Sequence, residues 1–570
     1  MFSVIFKAIF LVLSLYGYIS FFSRKIKPEL TIGFVMASIG SLTFLGGIIG
    51  PVYLAVKVIL VGGLVCLVFS CARHTKIKNI ITPGTIFFVL MCCVLLYIVY
   101  GAYFIEQDNF THWAYVSKFI IRNDRFPWAS DPNILFPSYP LGSASFIYFF
   151  CEALGADSEW FQMFIQNVLS VGMLTSLFAF AANSKQRILA LLCSIFMLAC
   201  YIGFRELLVD NLLAIVGFGG LAFCIYYKNE LEDKVWYTVP YMVLLMSIKN
   251  SGLLFALYMI MYMLIYIKKH KSALAKLALC STTPFIALFM WQQWHVVPRF
   301  GNGLSSKHSL SLQNFRNVFG DKTPEDIRTI FHLFIGEAFS LSNCFIYVLV
   351  FIAAVLLVNR YLFRQDIRPF KEICLLTIIT YVVYQVGQFG MFMFTMPTVE
   401  ALELACYDRY HRTILCFIAG LICIGMMQLN SFIKIKNKVF SLIPLFLFTV
   451  TLYLLTDPYL NYYKRQHIPE SHHRAVLNSI IEEYSLEENA GYVIITSDDY
   501  YPPDPLKYCA RYLLGYTAKT KTLQDIKDNP SIFDEYPYVI IYSETDEITD
   551  YVESVFSPGV PRVFYGPDYR

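Results

Sequence analysis

The chain has 570 residues, of which 57% are hydrophobic and 15% are charged, and its mean hydropathy is +0.55. Apolar runs long enough to cross the roughly 30 Å hydrocarbon core of a bilayer recur from Met1 to Thr456, which excludes a soluble fold and predicts a polytopic membrane protein. The net charge of +4 is small and scattered over short loops, which excludes nucleic-acid binding.

The hydropathy pattern predicts a mainly α fold with about 12–14 transmembrane helices. The first run lacks a basic leading region and a small-residue cleavage site, so we expect a retained span and no signal peptide. The expected spans are 2–22, 30–49, 52–71, 83–104, 138–155, 159–182, 187–203, 208–227, 236–267, 273–294, 332–359, 373–396, 411–430 and 439–456.

Clusters of Lys and Arg predict the orientation of these spans, because cytoplasmic loops carry an excess of both residues. The clusters lie within 24–27, 73–78, 268–271 and 360–371, with 434–438 as a fifth candidate. With every cluster inside, the loops 105–137, 295–331 and 397–410 lie outside, together with everything after Thr456. The segment 235–267 is long for one span, and Lys249-Asn250-Ser251-Gly252 at its middle favours two half-helices that meet at a break.

Residues 457–570 are charged and contain no span. Strand-like runs at 492–496 and 538–542 alternate with helical stretches around 471–484 and 506–514. The pattern predicts a small α/β domain on the outer face. No glycine-rich nucleotide fingerprint follows either strand. The 15 cysteines lie mostly in apolar runs and form no CxxC pattern, so we expect neither a disulfide framework nor a zinc site.

Two carboxylates, Glu106 and Asp108, stand where a strongly apolar segment emerges into a polar, aromatic-rich loop. In an extended or turn conformation, residues i and i+2 share a face. One carboxylate could then act as a general base while its neighbour orients it, binds a metal or tunes its pKa. The alternative is that Asp108 only caps the following helix, which is expected to end near Asn123, and that Glu106 is an interfacial residue.

Arg409 and Arg412 lie three residues apart at the entry to a late span, on one face of the expected helix. A guanidinium at this position is suited to hold a lipid phosphate through paired hydrogen bonds. The alternative is interface anchoring, or pairing with Asp408, Glu403 or Glu400.

Lys249 is surrounded by apolar sequence, where an ionisable side chain is costly and indicates function. The alternative is a lysine at a helix break that faces water.

At these residues the sequence resembles the membrane-embedded glycosyltransferases of the GT-C superfamily, which includes protein O-mannosyltransferases and the lipid A aminoarabinose transferase. The resemblance rests on Glu106-Gln107-Asp108 as a modified DxD motif, the Tyr139-Pro140-Leu141-Gly142 turn, the Lys249-Asn250-Ser251-Gly252 break and the Asp408-Arg409-Tyr410 patch. In that superfamily the acidic loop usually follows the first span, whereas here it follows the fourth. The expected domains are therefore N-terminal helices (1–104), a GT-C-like catalytic module with outer loops (105–456) and the soluble domain (457–570).

The resemblance implies an inverting transfer of a sugar from a polyprenyl-phosphate donor to a glycan, lipid or protein acceptor at the outer face of the cell membrane. Asp108, assisted by Glu106, would accept the proton of the acceptor hydroxyl. Arg409 would offset charge on the departing phosphate, with Lys249 or Arg412 as substitutes. His112 and Tyr139 complete the expected substrate-binding residues.

The resemblance implies no particular cofactor, and assistance by a divalent cation such as Mg²⁺ or Mn²⁺ stays open. Glu106 and Asp108 would be its ligands, although two carboxylates are few for a cation cage. The expected partners are the lipid-linked donor, the acceptor and the bilayer itself.

Two other classes stay open. A polysaccharide polymerase or ligase would share the spans and an outer loop, but would depend on arginines or histidines more than on an acidic pair. A transporter or flippase would show repeat symmetry and several ionisable residues at mid-membrane, where Lys249 stands nearly alone in the sequence.

Overall fold

The computed structural model describes residues 2–73, 80–131, 134–201, 203–267, 271–301, 312–340, 344–363, 366–429, 464–499 and 503–569. The expected span 439–456 and the basic cluster 434–438 lie outside these residues. The chain divides into two compact units. The first consists of Met1–Gly101, Phe119–Trp128 and Phe136–Arg465, and the second of Ala102–Lys118, Ala129–Leu135 and Gln466–Arg570.

The described part of the first unit is helical, and it includes the residues of α5 from Phe119 onward. The helices are α1 (Phe2–Phe22), α2 (Pro28–Ile49), α3 (Val52–Ala72), α4 (Pro83–Val99), α5 (Ala114–Asn123), α6 (Gly142–Leu154), α7 (Glu159–Leu174), α8 (Ser184–Cys200), α9 (Asp210–Tyr226), α10 (Leu231–Lys234), α11 (Val239–Ile248), α12 (Gly252–Ile267), α13 (Lys271–Met290), α14 (Val297–Phe300), α15 (Leu312–Gly320), α16 (Pro324–Ala338), α17 (Cys344–Val358), α18 (Arg368–Phe394), α19 (Thr398–Leu402) and α20 (Tyr407–Gln428).

Seven stretches of helix in the described residues are long and apolar enough to cross a membrane. They are Val4–Phe22, Pro28–Ile49, Val52–Ala72, Glu159–Phe180, Ser272–Phe300, Arg368–Phe394 and Tyr407–Gln428. Apolar helices of 10–17 residues lie at five further places, which are Pro83–Val99, Gly142–Leu154, Asp210–Tyr226, Gly252–Ile267 and Phe345–Tyr361. The mainly α, polytopic architecture predicted from the sequence is therefore confirmed at this level.

The structure bears on two of the expected spans in particular. In 236–267, α11 ends at Ile248 and α12 begins at Gly252, so the predicted break is present. In 332–359, the expected single span is wrong, because α16 ends at Ala338 and α17 begins at Cys344. The intervening sequence Ser340-Leu341-Ser342-Asn343 is largely polar, which opposes continuation of an apolar helix.

Helix α9 lies at the centre of the first unit. It packs against α7, α11, α12 and α20, and nearly all of its residues are buried. Helix α1 instead packs chiefly on α3, and both helices leave many apolar side chains exposed, as lipid-facing helices do. The central position of α9 determines the surroundings of its first residue, Asp210.

The second unit contains a four-stranded sheet. Its elements are α21 (His473–Tyr484), β1 (Tyr492–Thr496), α22 (Pro503–Leu514), β2 (Lys519–Thr522), α23 (Leu523–Asp528), α24 (Ile532–Glu535), β3 (Tyr538–Ile541), α25 (Asp546–Val555) and β4 (Val563–Tyr565). The strand order is β2-β1-β3-β4, in which β1 pairs in parallel with β2 and β3, and β4 pairs antiparallel to β3. The structure thus has the two predicted strands and both predicted helices, and adds β2 and β4.

Residues 102–118 belong to the second unit. The expected domains had instead divided this segment between the N-terminal helices (1–104) and the catalytic module (105–456). The backbone of Tyr103 exchanges two hydrogen bonds of 2.8 Å with the side chain of Gln466. Nζ of Lys118 donates to the Tyr512 carbonyl at 2.6 Å and to Glu488 at 3.0 Å. The acidic loop is therefore built into the same compact unit as the C-terminal sheet.

Candidate functional site

Asp210 is the centre of a charged cluster in the first unit. Nζ of Lys249 donates a hydrogen bond of 2.7 Å to Oδ1 of Asp210, and Nε of Arg409 lies 3.4 Å from Oδ2. The Asp210 side chain is 9% exposed, against 15% for Lys249 and 34% for Arg409. One buried carboxylate thus joins two cations that the sequence analysis had selected separately, and the sequence analysis missed Asp210 itself.

The break between α11 and α12 places Lys249. Lys249 has an extended backbone, with φ −160° and ψ 151°, and its carbonyl accepts a hydrogen bond of 2.8 Å from the amide of Gly252. A Cβ atom on Gly252 would lie 1.9 Å from the carbonyl oxygen of Leu245, so only glycine allows this close approach. The lysine stands at the C-terminal end of α11, where the helix dipole favours a positive charge.

The start of α20 places Arg409 on the same carboxylate. Cys406 precedes this helix with φ 61°, so the chain turns sharply just before Tyr407. Beside Arg409, the ring of Tyr410 has its centroid 5.4 Å from the guanidinium carbon and 5.3 Å from Nζ of Lys249. The backbone carbonyl of Tyr410 accepts a hydrogen bond of 2.9 Å from Tyr384 of α18. The aromatic ring therefore lies within cation–π range of both cations.

Tyr139 joins this cluster through the turn before α6. It lies within electrostatic range of Asp210, Lys249, Arg409 and Tyr410. The turn is held by Trp291, whose Nε1 donates a hydrogen bond of 3.0 Å to the carbonyl of Ser138. Three of the predicted substrate-binding residues thus share one location.

Gly142 allows the start of α6 to lie against the end of α11. A Cβ atom at residue 142 would lie 2.1 Å from Oγ of Ser247 and 2.7 Å from its carbonyl carbon. Any larger residue would push α6 away from the helix end that carries Lys249.

Two buried amides of α7 position the loop that leads into Asp210. Nε2 of Gln166 lies 3.1 Å from the carbonyl of Glu206 and 3.3 Å from that of Leu208. Nδ2 of Asn167 donates to the carbonyl of Phe204 at 2.8 Å. The sequence analysis missed both amides. Two adjacent amides inside an apolar helix were the available signal, because polar side chains there need a partner.

Arg412 differs from Arg409 in its surroundings. It follows three residues later on α20 and is exposed, whereas Arg409 is half-buried against Asp210. The contact of Arg409 with Asp210 of α9 was not among the alternatives read from the sequence, which named only acids of its own segment.

The acidic pair lies in the second unit. Asp108 has helical backbone angles, with φ −62° and ψ −25°, and Glu106 precedes the helical turn and is exposed. Of the two conformations considered for the pair, the structure has the turn and not the extended one, since the amide of Asn109 donates a hydrogen bond of 3.1 Å to the carbonyl of Glu106. Asp108 occupies the N-cap position of the Asn109–Trp113 turn, but its carboxylate accepts no capping hydrogen bond there. His112 is 3% exposed and packs edge-on against Trp113, with ring centroids 4.6 Å apart.

The three side chains of Asp210, Lys249 and Arg409 carry a formal net charge of +1, since two cations share one carboxylate. Such an arrangement can bind an anion, and Asp210 holds both cations in place beforehand. Within the described residues, no group of three or more His, Cys, Asp and Glu side chains could hold a metal ion. No protein-family model, curated protein or solved structure matches the chain.

Proposed function

We propose that the protein is an integral-membrane glycosyltransferase that moves a sugar from a polyprenyl-phosphate donor to a glycan, lipid or protein acceptor of the cell envelope. The observation that supports this proposal is the meeting of Lys249 and Arg409 at Asp210, at the ends of the three helices α9, α11 and α20. A cationic pair at a helix break suits a donor whose phosphate must sit beside the bilayer while its isoprenoid tail stays among the helices.

In this proposal, Lys249 and Arg409 bind the donor phosphate, and Asp210 keeps the two cations oriented when no donor is bound. The Arg409 guanidinium can donate two parallel hydrogen bonds to phosphate oxygens, while the Lys249 ammonium acts as a point charge. Both charges become more favourable as negative charge develops on the departing phosphate.

The acceptor hydroxyl oxygen attacks the anomeric carbon, and the bond from that carbon to the phosphate oxygen breaks with inversion. The hydroxyl proton passes to the Asp108 carboxylate, and the polyprenyl phosphate leaves with the bonding electron pair. Glu106 is the neighbouring carboxylate that tunes Asp108, and His112 and Tyr139 are further substrate-binding residues. The role of Asp108 is supported by its position as a half-buried carboxylate at the start of a helical turn.

The decisive experiment compares lipid-linked and surface glycans in cells with the wild-type protein, with no protein, or with Asp108→Asn or Arg409→Ala. We expect one surface sugar to disappear in all three altered strains while a polyprenyl-phosphate sugar accumulates. Arg368→Ala is the control, since Arg368 is 82% exposed and pairs with Asp366 at 2.6 Å. Wild-type glycans in the Asp108→Asn strain would remove the base assignment.

The proposal places the acidic loop and the C-terminal domain on the extracytoplasmic side. Single cysteines at Ser130 and Ser497, introduced in a cysteine-free background, test this placement. A membrane-impermeant thiol reagent added to intact cells should label both positions, and labelling of only one would contradict it.

A second candidate is a carrier of an anionic glycolipid. The discontinuous helix α11/α12 with an ion pair at its break is the arrangement that secondary transporters use at their substrate sites. Lys249 is also less isolated than the sequence suggests, because Asp210 lies next to it. A carrier would lose function in Asp210→Asn and keep it in Asp108→Asn, whereas the transferase loses function in Asp108→Asn.

A further inference from the structure

Two glutamines of α18 are buried in a helix that is long and apolar enough to cross a membrane. Gln385 and Gln388 lie three residues apart, on one face of α18, and are 8% and 5% exposed. Within the described residues, neither amide atom of Gln385 has a hydrogen-bond partner. Nε2 of Gln388 donates to the carbonyl of Tyr407 at the long distance of 3.4 Å, and its Oε1 has no partner among the same residues. Amides buried in this way are costly, because they have lost their hydrogen bonds to water.

The start of α20 faces these amides. Tyr407 and His411 are both buried, and their rings stack with centroids 5.5 Å apart and an interplanar angle of 18°. Nε2 of His411 lies 3.2 Å from the hydroxyl of Tyr381, which belongs to α18. The Gln385 side chain lies beside the Tyr407 hydroxyl, but the two groups form no hydrogen bond of good geometry. Helices α18 and α20 therefore enclose polar groups whose hydrogen-bonding capacity is only partly used.

The break between α16 and α17 lies beside the same part of α18. Phe334 of α16 packs against Phe392 with ring centroids 6.1 Å apart, and Phe345 of α17 stacks on Tyr381 at 3.5 Å. Residues 381, 385, 388 and 392 follow one face of α18, so both glutamines lie between these two contacts. An interrupted helix leaves backbone amides and carbonyls without intrahelical partners, and membrane proteins use such breaks at substrate sites.

The helices on either side of the break expose apolar side chains. Phe331 and Phe339 of α16 and Tyr347 of α17 are all exposed, as expected where helices meet lipid. Glu337, in the last turn of α16, is also exposed and lies within electrostatic range of Tyr407. A ligand with a lipid tail can therefore approach the buried amides from the bilayer, past one negative charge.

We propose that the two glutamines, Tyr407 and His411 form a binding site for an uncharged, hydroxyl-rich group, of which a sugar is the type. A carboxamide and a phenol both donate and accept hydrogen bonds, as sugar hydroxyls do. Binding sites of this kind combine aromatic walls with a few placed polar groups. The four side chains include no lysine or arginine to hold a phosphate, and the carboxylate of Glu337 repels an anion.

This site does not depend on the proposed transferase activity. Arg409 contacts Asp210 of α9, whereas Tyr407 and His411, each two residues away from Arg409, lie on the opposite face of α20 and contact α18. Two sources could supply the sugar, namely a glycolipid of the bilayer and a soluble sugar. Both present the same hydroxyls to the amides, so the binding experiment uses one probe for each source.

The first test measures stability and needs no ligand. Gln385→Met keeps the length of the side chain and removes its buried amide. If the amide serves a ligand, the purified full-length variant should unfold in detergent at the wild-type temperature or above it, because the cost of burying an unpaired polar group is gone. A clearly lower melting temperature would overturn the proposal, since the amide would then hold the helices together.

The second test measures binding to the same protein in a detergent that carries no sugar. One arm measures how much glucosyl diacylglycerol the protein retains from mixed micelles, relative to diacylglycerol without the sugar. The other arm measures radiolabelled methyl β-D-glucoside by equilibrium dialysis. We expect the wild type to bind at least one probe, and Gln385→Met combined with Gln388→Met to lower the affinity for it by about tenfold or more. Retention of the lipid alone identifies a glycolipid site, and binding of the methyl glucoside identifies the sugar itself as sufficient.

Gln293→Met is the matched control, because it removes an exposed glutamine just after α13. It should leave both binding measurements unchanged. If the double variant fails to fold, Gln385→Met alone replaces it and should lower the affinity by about threefold or more. The proposal is overturned if the wild type binds neither probe, if the variants of Gln385 and Gln388 bind like the wild type, or if Gln293→Met weakens binding equally.

Discussion

Nζ of Lys249 donates a hydrogen bond of 2.7 Å to Asp210, and this bond joins the end of α11 to the start of α9. Arg409 approaches the other oxygen of the same carboxylate from α20, at 3.4 Å. Three helices of the first unit therefore meet at one buried charge. An ion buried away from water is costly unless a partner of opposite charge lies beside it. Removing one of these three charges is therefore expected to destabilise the packing of the three helix ends.

We expect Asp210→Asn to destabilise the protein by about 3–5 kcal/mol, because it leaves the buried Lys249 ammonium without its carboxylate. Lys249→Met should cost less, about 1–3 kcal/mol, since Asp210 keeps its contact with Arg409. Unfolding of the purified protein in detergent measures both values. The control is the exposed pair of Lys228 and Glu372 at 3.2 Å, whose single substitutions should cost about 0–1 kcal/mol. Equal losses at both pairs would contradict the buried-pair account.

A second prediction concerns the contact between α6 and α11. Gly142→Ala should destabilise the protein by about 1–3 kcal/mol, because the added methyl group would meet Oγ of Ser247 at 2.1 Å. It should also weaken donor use, since the shift moves the turn that carries Tyr139. Gly387→Ala is the control, because a Cβ atom there meets nothing within 4 Å and α18 gains helix propensity. Thermal unfolding of the purified protein in detergent measures the stability of both variants. A Gly142→Ala protein as stable as the wild type would contradict the close contact between α6 and α11.

Residues can be selected from the sequence when their side chains are unusual for the surrounding sequence. Lys249 was selected because a lysine in apolar sequence is costly, and the glycine after it indicated the break that the structure has. Asp210 was missed for a physical reason: an acid at the first residue of a helix is favoured by the helix dipole alone, so the sequence gives no sign of a partner on another helix. The pairing arises from the packing of α9, α11 and α20, which are distant in the chain.

The C-terminal sheet also contains both strands that the sequence predicts and strands that it does not. The strands at 492–496 and 538–541 are rich in Val and Ile and are largely buried, so their pattern could be read. Strand β2 has the sequence Lys-Thr-Lys-Thr and is half-buried along its length, because it lies at the edge of the sheet. Strand β4 has only three residues. Neither contains enough apolar residues to predict a strand without its neighbours in place.

A third prediction concerns the acidic loop in the second unit. Lys118→Met keeps the aliphatic stem but removes the ammonium that bonds Tyr512 and Glu488, so it should weaken this attachment by about 1–3 kcal/mol. Hydrogen exchange within 102–118 should become faster, while exchange in β1 and β3 should not change. Lys507→Met is the control, since the 3.5 Å contact of Lys507 with Asp504 is exposed. Unchanged exchange in Lys118→Met would show that other contacts of the segment suffice.

The last prediction uses pH. Burial lowers the pKa of His473 to about 4, and the neighbouring His472 and Arg474 act in the same direction. Between about pH 6.5 and pH 4 the unfolded chain binds a proton that the folded unit does not, so stability rises with pH across this window and falls on acidification. The second unit of the full-length protein should therefore lose about 5 °C of its melting temperature between pH 7 and pH 4.5.

His473→Gln should flatten this dependence, because the group that the folded unit keeps neutral is gone. Hydrogen exchange of α21 as a function of pH locates the effect, and His467→Gln, which removes an exposed histidine of the same unit, is the control. A wild-type pH profile in His473→Gln would assign the acid sensitivity to other groups. At the start of α21, the amide of Arg474 donates a hydrogen bond of 3.1 Å to Nδ1 of His472. A flattened profile would show that neutral imidazoles stabilise this helix start.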